Sequence, residues 1–207
     1  MVAGILANCG VWTGRTVRGD KNNPKGFFEN IFIREQVIKG MLRSSGCDPL
    51  GVTKLPPLDV NWSSNAVAAA FSQVLKHQDY DDKSPWLYKD AKMTLLWPVI
   101  HKVYPSATWV IVRRDPKALV KSFLRTSFMS QHSKSSRFWK KFIDEYISRL
   151  DALKKSNANY IELDSGEVIA GNYAQLEKLL LSMNLSLNAG KVNQFVSPDL
   201  WERKKNT

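Results

Sequence analysis

The chain is poor in the residues that build metal centres and covalent staples. It has two cysteines, Cys9 and Cys47, and three histidines, His77, His101 and His132, among 207 residues. Neither cysteine has a C-x-x-C partner or a nearby histidine, and the histidines show no ligand spacing, so a His/Cys metal site and a disulfide framework both lack support. Reduced core thiols are the expectation, and with them a cytoplasmic compartment. Long apolar runs are also missing. Stretches such as 109–112 and 179–181 fall far short of the roughly 20 residues that a membrane span requires. The amino terminus, Met1-Val-Ala-Gly-Ile-Leu-Ala-Asn-Cys9, lacks the positive flank and cleavage pattern of a secretory signal and reads as mature protein. Without repeats, low-complexity tracts or long linkers, residues 1–207 are expected to form one globular domain.

Negative charge is scarce as well. Thirty Lys and Arg stand against 19 Asp and Glu, a net charge of +11, which favours an anionic substrate, cofactor or polymer. The surplus is concentrated. Between Lys102 and Lys141 ten basic residues face the single acid Asp115. Such a run reads either as a solvated basic face or as a binding site for phosphate or sulfate groups.

What is present is an alternation of helical and strand patterns. Residues 1–9 look helical and end at Gly10, a residue suited to a left-handed C-cap. Residues 15–26, rich in Gly, Asn, Lys and Arg, predict a mobile connection. Apolar positions 31, 33, 37, 38, 41 and 42 predict a helix over 31–43, followed by a Gly/Pro-containing loop over 44–61. Ser63 or Ser64 is placed to cap a helix reaching about 78, with Val67, Ala70, Phe71, Val74 and Leu75 inward. Residues 86–89, 108–112 and 159–163 are short runs rich in aromatic or β-branched side chains and predict strands. Helical sequence over 92–104, 116–128 and 135–154 separates them, and another helix is expected over 173–183. The fold class that follows is α/β, a parallel sheet flanked by helices.

The clearest chemistry lies in Val110-Ile-Val-Arg-Arg-Asp-Pro-Lys117. The apolar strand ends at Arg113, Asp115 is placed to cap the next helix, and Pro116 fits its first turn, where a missing N–H costs nothing. Both arginines then stand at the carboxyl edge of the sheet, where open parallel sheets bind ligands, and Arg presents a planar fork of donors that matches a phosphate. Ser122, two helical turns on, adds a hydroxyl. A capped helix with solvated arginines remains the plain alternative.

Arg114-Asp-Pro-x-x-x-x-x-Ser122 at a strand end resembles the motif with which sulfotransferases grip the 3′-phosphate of PAPS (3′-phosphoadenosine-5′-phosphosulfate). Asn23-Pro-Lys-Gly-Phe-Phe-Glu-Asn30 resembles a segment of bacterial and phage-type sulfotransferases, and Leu87-Tyr-Lys-Asp-Ala-Lys92 resembles their "KDPR" strand end. The strand over 159–164, its following helix and the tail Phe195-Val-Ser-Pro-x-Leu-Trp201 are similar too. The resemblance spans essentially the whole chain and implies a three-layer P-loop-type fold, PAPS as sulfuryl donor (PAP as product) and a small-molecule or carbohydrate acceptor. It implies Glu29 and Lys89 as catalytic residues and Arg113, Arg114 and Ser122 as cofactor-binding ones. Glu29 is then the base and Lys89 the charge near the leaving oxygen. Read from the residues alone, Glu29 is also an acid favourably placed near a helix start, Lys89 a surface lysine, Asp90 a helix cap and Arg113 a solvent-facing cation. Trp201, Arg203, Lys204 and Lys205 lie in a tail able to fold over the cofactor or to fray.

Two departures accompany the resemblance. Lys92 replaces the arginine of the "KDPR" pattern and Ala91 its proline, which keeps charge but loses bidentate geometry. The family also opens with a strand and a P-R-S-G-T-S loop that holds the phosphosulfate on backbone N–H groups. Here Met1-Val-Ala-Gly-Ile-Leu6 resembles the helix after that loop, so the first strand and the loop are expected to be missing, with impaired activity as the consequence. A P-loop small-molecule kinase is the main rival, and it needs a G-x-x-x-x-G-K-[ST] run that the sequence lacks. A non-catalytic anion- or nucleotide-binding protein is the other. Specific nucleic-acid binding is disfavoured because Trp109, Phe138, Trp139 and Phe142 sit at core-like spacing.

Overall fold

The computed structural model describes residues 1–20 and 23–197. At its centre two parallel strands, β1 (Trp109–Arg113) and β2 (Tyr160–Asp164), pair in the register Val110 with Ile161 and Val112 with Leu163. Side chains alternate along a strand, so each face of this pair meets a different set of helices. Ile111 and Trp109 pack with Leu150 and Leu153 on one side. Val110, Ile161 and Leu163 pack on the other against Val2, Ile5, Leu176, Leu180 and Val192. Those partners belong to α7 (Ser136–Lys154) on the first side, and to α1 (Val2–Asn8), α9 (Ala174–Ser182) and α10 (Ala189–Phe195) on the second. The expected α/β class, a parallel sheet between helices, is what the chain adopts.

The helices start where the sequence supplies caps. Ser63 Oγ accepts the Ala66 N–H at the head of α3 (Ser64–His77), and Asp115 accepts the N–H groups of Lys117 and Ala118 at the head of α5 (Pro116–Arg125). Asp164 does the same for the short α8 (Ser165–Ile169). Residues 31–44 form one continuous helical run whose middle, Ile33–Ile38, winds as a π-helix before the regular α2 (Lys39–Ser44). With α3 and α4 (Met93–Val103) it encloses the largest apolar cluster, around Phe71, Leu95, Leu96, Ile33 and Leu42. A separate cluster around Trp139, Ile143 and Val120 joins α5 to α7, with α6 (Ser127–Ser130) between them. Among the described residues no helix is long and apolar enough to cross a membrane.

Two expectations are corrected. Residues 86–89 do not form a strand; they make a single parallel bridge, Trp12 with Trp86, in which Trp12 N–H donates to Pro85 O and Leu87 N–H to Trp12 O. The side chains do alternate as in a strand, because Trp86 and Tyr88 enter one apolar cluster and Leu87 another. Alternation fixes which way side chains point, whereas a strand also needs an extended neighbour. Where a mobile connection was expected over 15–26, the described residues Arg15 and Val17 are paired with the chain over 27–31. Val17 N–H donates to Glu29 O at 2.9 Å, Phe27 N–H to Val17 O at 3.3 Å and Ile31 N–H to Arg15 O at 2.9 Å. α8 and α10 were not foreseen, and the tail positions from 198 on, Trp201, Arg203, Lys204 and Lys205 included, lie outside the described residues.

Candidate functional site

The paired loop delivers Glu29 to the head of the 31–44 helix, and the 86–89 segment delivers Lys89 to the same place. Glu29 Oε1 and Lys89 Nζ are 2.8 Å apart, and Arg34 Nη1 approaches Glu29 Oε2 at 3.4 Å. The carboxylate is largely enclosed, its side chain 15% exposed, while the lysine that reaches it remains 47% exposed. Arg34 is held in turn by Glu35, which also pairs with Lys39. Burial acts to raise the Glu35 carboxyl, but the Lys39 hydrogen bond and charge, with Arg34, outweigh it and hold it below its usual range. The outcome is a carboxylate flanked by two cations at a solvent-accessible rim.

Behind Glu29 sits a buried amide pair. Asn30, 1% exposed, donates to Thr13 O and to Gln78 Oε1, and Gln78 Nε2 donates back to Asn30 Oδ1 at 3.1 Å. Asn30 Oδ1 also accepts the N–H groups of Phe32 and Ile33, so one side chain caps the helix and fixes the residue beside Glu29. Gly14, at φ +63, lies against this pair: a Cβ there would strike Asn30 Nδ2 and come within 2.6 Å of Gln78 Oε1. The capping role of Asn30 was missed in the sequence, although an asparagine ahead of an apolar helical run is a signal for it. Gln78 carried no local signal, because its partner is 48 positions away.

Lys89 is anchored by its neighbours. Asp90, with a side chain 1% exposed, accepts the Tyr88 hydroxyl at 2.8 Å, the Lys92 N–H at 2.9 Å and the Lys92 ammonium at 2.8 Å. Burial first, then the charge of Asp90, pushes the Tyr88 phenol well above its ordinary value, so it stays protonated and donates. Lys92, where the family pattern carries arginine, is thus an internal counterion. Asp90 is not the helix cap that was expected: α4 begins at Met93 behind Lys92 with no side-chain cap, and Asp90 instead holds the preceding turn through the Lys92 N–H and is the hub of this buried network. The 44–61 loop closes over it: Tyr146 donates to Gly51 O at 2.7 Å and Arg149 to Pro56 O at 2.8 Å. Asp48 organises the loop by accepting from Leu50, Val52 and Thr53.

The remaining candidates stand at the end of β1. Arg113 follows Ile111 on the α7 side of the sheet and is engaged there by Glu162 on β2 and, at 3.4 Å, by Asp151 on α7. Glu162 also takes the Lys154 ammonium at 2.8 Å. Arg113 therefore knits strand, neighbouring strand and helix together. Arg114 turns out of this network at the head of α5 and is half-buried. Burial presses its guanidinium below the ordinary value, against the opposing charge of Asp115. Ser122 lies on α5 on the stripe above Asp115 and Ala118 and is partly buried. The structure thus brings Glu29 and Lys89 into contact, while Arg113 joins Glu162 and Asp151, Arg114 stands just ahead of α5 and Ser122 lies two turns along it.

No curated protein and no solved structure matches the chain. A family model described as "Sulfotransferase family" matches residues 56–186, more than half of the 207. Lys89, Arg113, Arg114 and Ser122 fall within that span, and Glu29 precedes it. With the helix-flanked parallel sheet and the Arg-Asp-Pro turn at the end of β1, this match shows that the chain belongs to the sulfotransferase family.

Proposed function

We propose that the chain transfers a sulfuryl group from PAPS to a hydroxyl or amine of a small-molecule or carbohydrate acceptor, with Glu29 as base and Lys89 as the cation at the leaving oxygen. The observation that carries this reading is the 2.8 Å contact between Glu29 and Lys89, two residues that the family resemblance singled out independently. A carboxylate that is largely enclosed yet still 15% exposed suits a group that accepts a proton from an incoming hydroxyl. An ammonium beside it suits charge developing on the phosphate oxygen as the sulfur–oxygen bond breaks.

The residues at the head of α5 fit the donor. A half-buried guanidinium, disfavoured by desolvation, gains from an anion, and the Ser122 hydroxyl offers a donor two turns along the same helix. When bound, PAPS supplies the activated sulfuryl group. In this reading Arg114 and Ser122 hold its 3′-phosphate, Arg113 keeps the strand end rigid through Glu162 and Asp151, and Glu29 takes the acceptor proton while Lys89 offsets charge. Calorimetric titration of the full chain with PAP tests the donor site. Micromolar binding that is lost in Arg114→Ala is the expected result, and equal binding by both proteins overturns the assignment.

A further inference from the structure

Glu29 follows a residue in an uncommon conformation. Phe28 has φ +55, in the left-handed region that a bulky side chain seldom adopts, so its surroundings must hold it there. Its ring meets that of Phe195, the last residue of α10, edge to face at 5.5 Å. Both rings lie over Gly4 in α1, where a Cβ would strike Phe195 and come within 2.9 Å of Phe28 Cε2. A glycine inside a helix weakens it relative to alanine, and the close approach of the two rings explains its presence there. The same loop reaches α10 a second time: Lys25 Nζ donates to Gln194 O at 3.3 Å and stands 5.8 Å from the centre of the Phe195 ring. The backbone on either side of Phe28 is tied to one residue, Val17, which accepts the Phe27 N–H and donates to Glu29 O. Phe28 is the link between them, and its dihedral sets the direction in which the Glu29 side chain leaves the loop.

We propose that Phe195 is a positioning residue for Glu29: its ring, seated on Gly4, holds Phe28 left-handed and so aims the next carboxylate at Lys89. The inference rests on the reading of Glu29 as base. Two observations separate this role from plain core packing. Val192, fully buried, is the α10 side chain that anchors the helix among Leu176 and Leu180, whereas Phe195 is only half-buried at the margin of that cluster, where it meets the loop. Phe28 stands outside the cluster, so its contact with Phe195 reaches from the core to the residue before Glu29. Without the ring, Phe28 is free to return to the ordinary negative φ, a rotation of roughly 120° that swings the carboxylate away from Lys89. Glu29 and α10 both lie outside residues 56–186, so this contact is no part of what the family model matches.

The test follows PAP released from PAPS by the full chain, PAP binding by calorimetry, and hydrogen exchange at the Val17 and Phe27 amides. Phe195→Ala removes the ring, Phe195→Leu keeps part of its apolar bulk, and Gly4→Ala wedges the ring away while improving the helix. Leu176→Ala, buried in the same cluster on α9, is the control for general loosening. Expected in Phe195→Ala is a fall in kcat on the order of 10-fold, with KM for PAPS and PAP binding unchanged, because a misaimed base costs rate while the residues at the head of α5 are untouched. Exchange at Val17 and Phe27 should rise by about 10-fold. Phe195→Leu should reverse much of both changes, and Gly4→Ala should resemble Phe195→Ala. Leu176→Ala should melt earlier yet keep kcat and both exchange rates. In a Glu29→Gln background Phe195→Ala should add no further loss. Wild-type kcat in Phe195→Ala, an equal fall in Leu176→Ala, unchanged exchange at Val17 and Phe27, or a full additional loss in the Glu29→Gln background overturns the positioning role and leaves Glu29 as base. Wild-type turnover in Glu29→Gln overturns the base reading and this inference with it. The exchange readout needs neither turnover nor bound PAPS, so it decides whether Phe195 holds the loop in whichever of these variants folds.

Discussion

Glu29 and Lys89, 60 positions apart in sequence, meet at 2.8 Å where a paired loop and an extended segment converge. If Glu29 is the base, Glu29→Gln removes proton acceptance while keeping size and hydrogen bonding. Turnover, followed as PAP released from PAPS by the full chain, should fall by roughly 10²–10⁴. PAP binding should hold, and so should the melting temperature, because an ion pair with a lysine this exposed contributes little to stability, ~1 kcal/mol or less. Turnover at the wild-type rate in Glu29→Gln would remove Glu29 from the chemistry.

The amide pair behind Glu29 makes a second expectation. Gly14→Ala introduces a methyl into space held by Asn30 and Gln78, at a backbone φ of +63 that side chains seldom adopt. Asn30→Ala takes the amide partner from Gln78, which keeps the Arg15 N–H and Val74 O, and leaves the capped N–H groups of Phe32 and Ile33 without their acceptor. Each variant should lose about 1–3 kcal/mol in denaturant melts. The Asn30→Ala, Gln78→Ala double variant should fall short of the sum of its singles, and strict additivity would contradict the pairing.

How much of this was legible depends on the range of the interaction. Asp115 and Pro116 were readable because a cap and its helix lie within four residues, and α7 because Trp139, Ile143 and Leu153 repeat on one stripe. β1 and β2 were readable from their β-branched and aromatic side chains. The 86–89 segment misled because its aromatic content is that of a strand while pairing depends on Trp12, more than 70 positions away. Glu29 and Lys89 were named through family resemblance, and the local sequence of neither specifies the other. Gln78, Arg34 and the Glu162 partnership of Arg113 are long-range or side-chain choices that spacing does not encode. The role of Lys92 followed the same rule: its sequence showed a lost arginine, and only the fold shows the buried carboxylate it serves.

That carboxylate supports a third prediction. Asp90→Ala strands the Lys92 ammonium and the Tyr88 hydroxyl in a buried site, at a cost of about 3–5 kcal/mol for the unpaired charge. Asp90→Leu combined with Lys92→Met removes both charges and should recover a large part of that loss. Urea melts of the three proteins decide it. A double variant no more stable than Asp90→Ala would show that the network contributes through something other than charge pairing.

The last prediction concerns acid. The Lys154 hydrogen bond, followed by that of Arg113, holds the Glu162 carboxyl below its ordinary value of 4.5. A carboxyl depressed on folding contributes stability that is fully present above its unfolded value and is lost as pH falls through the folded one. The contribution of Glu162 should therefore be intact at neutral pH and fade below about 4.5. Asp48, where burial opposes but the N–H groups of Leu50, Thr53 and Val52 prevail, and Asp81, pushed down to about 2 chiefly by Ser84, add to the same acid limb. Glu162→Gln should thus reduce the slope of melting temperature between pH 5 and 3 without abolishing it, with a modest loss at pH 7. It should also free Arg113 from its bond to β2 and weaken PAP binding by loosening the turn that carries Arg114. An unchanged acid slope together with unchanged PAP binding would mean that the end of β1 is held by its backbone and by Asp151 alone.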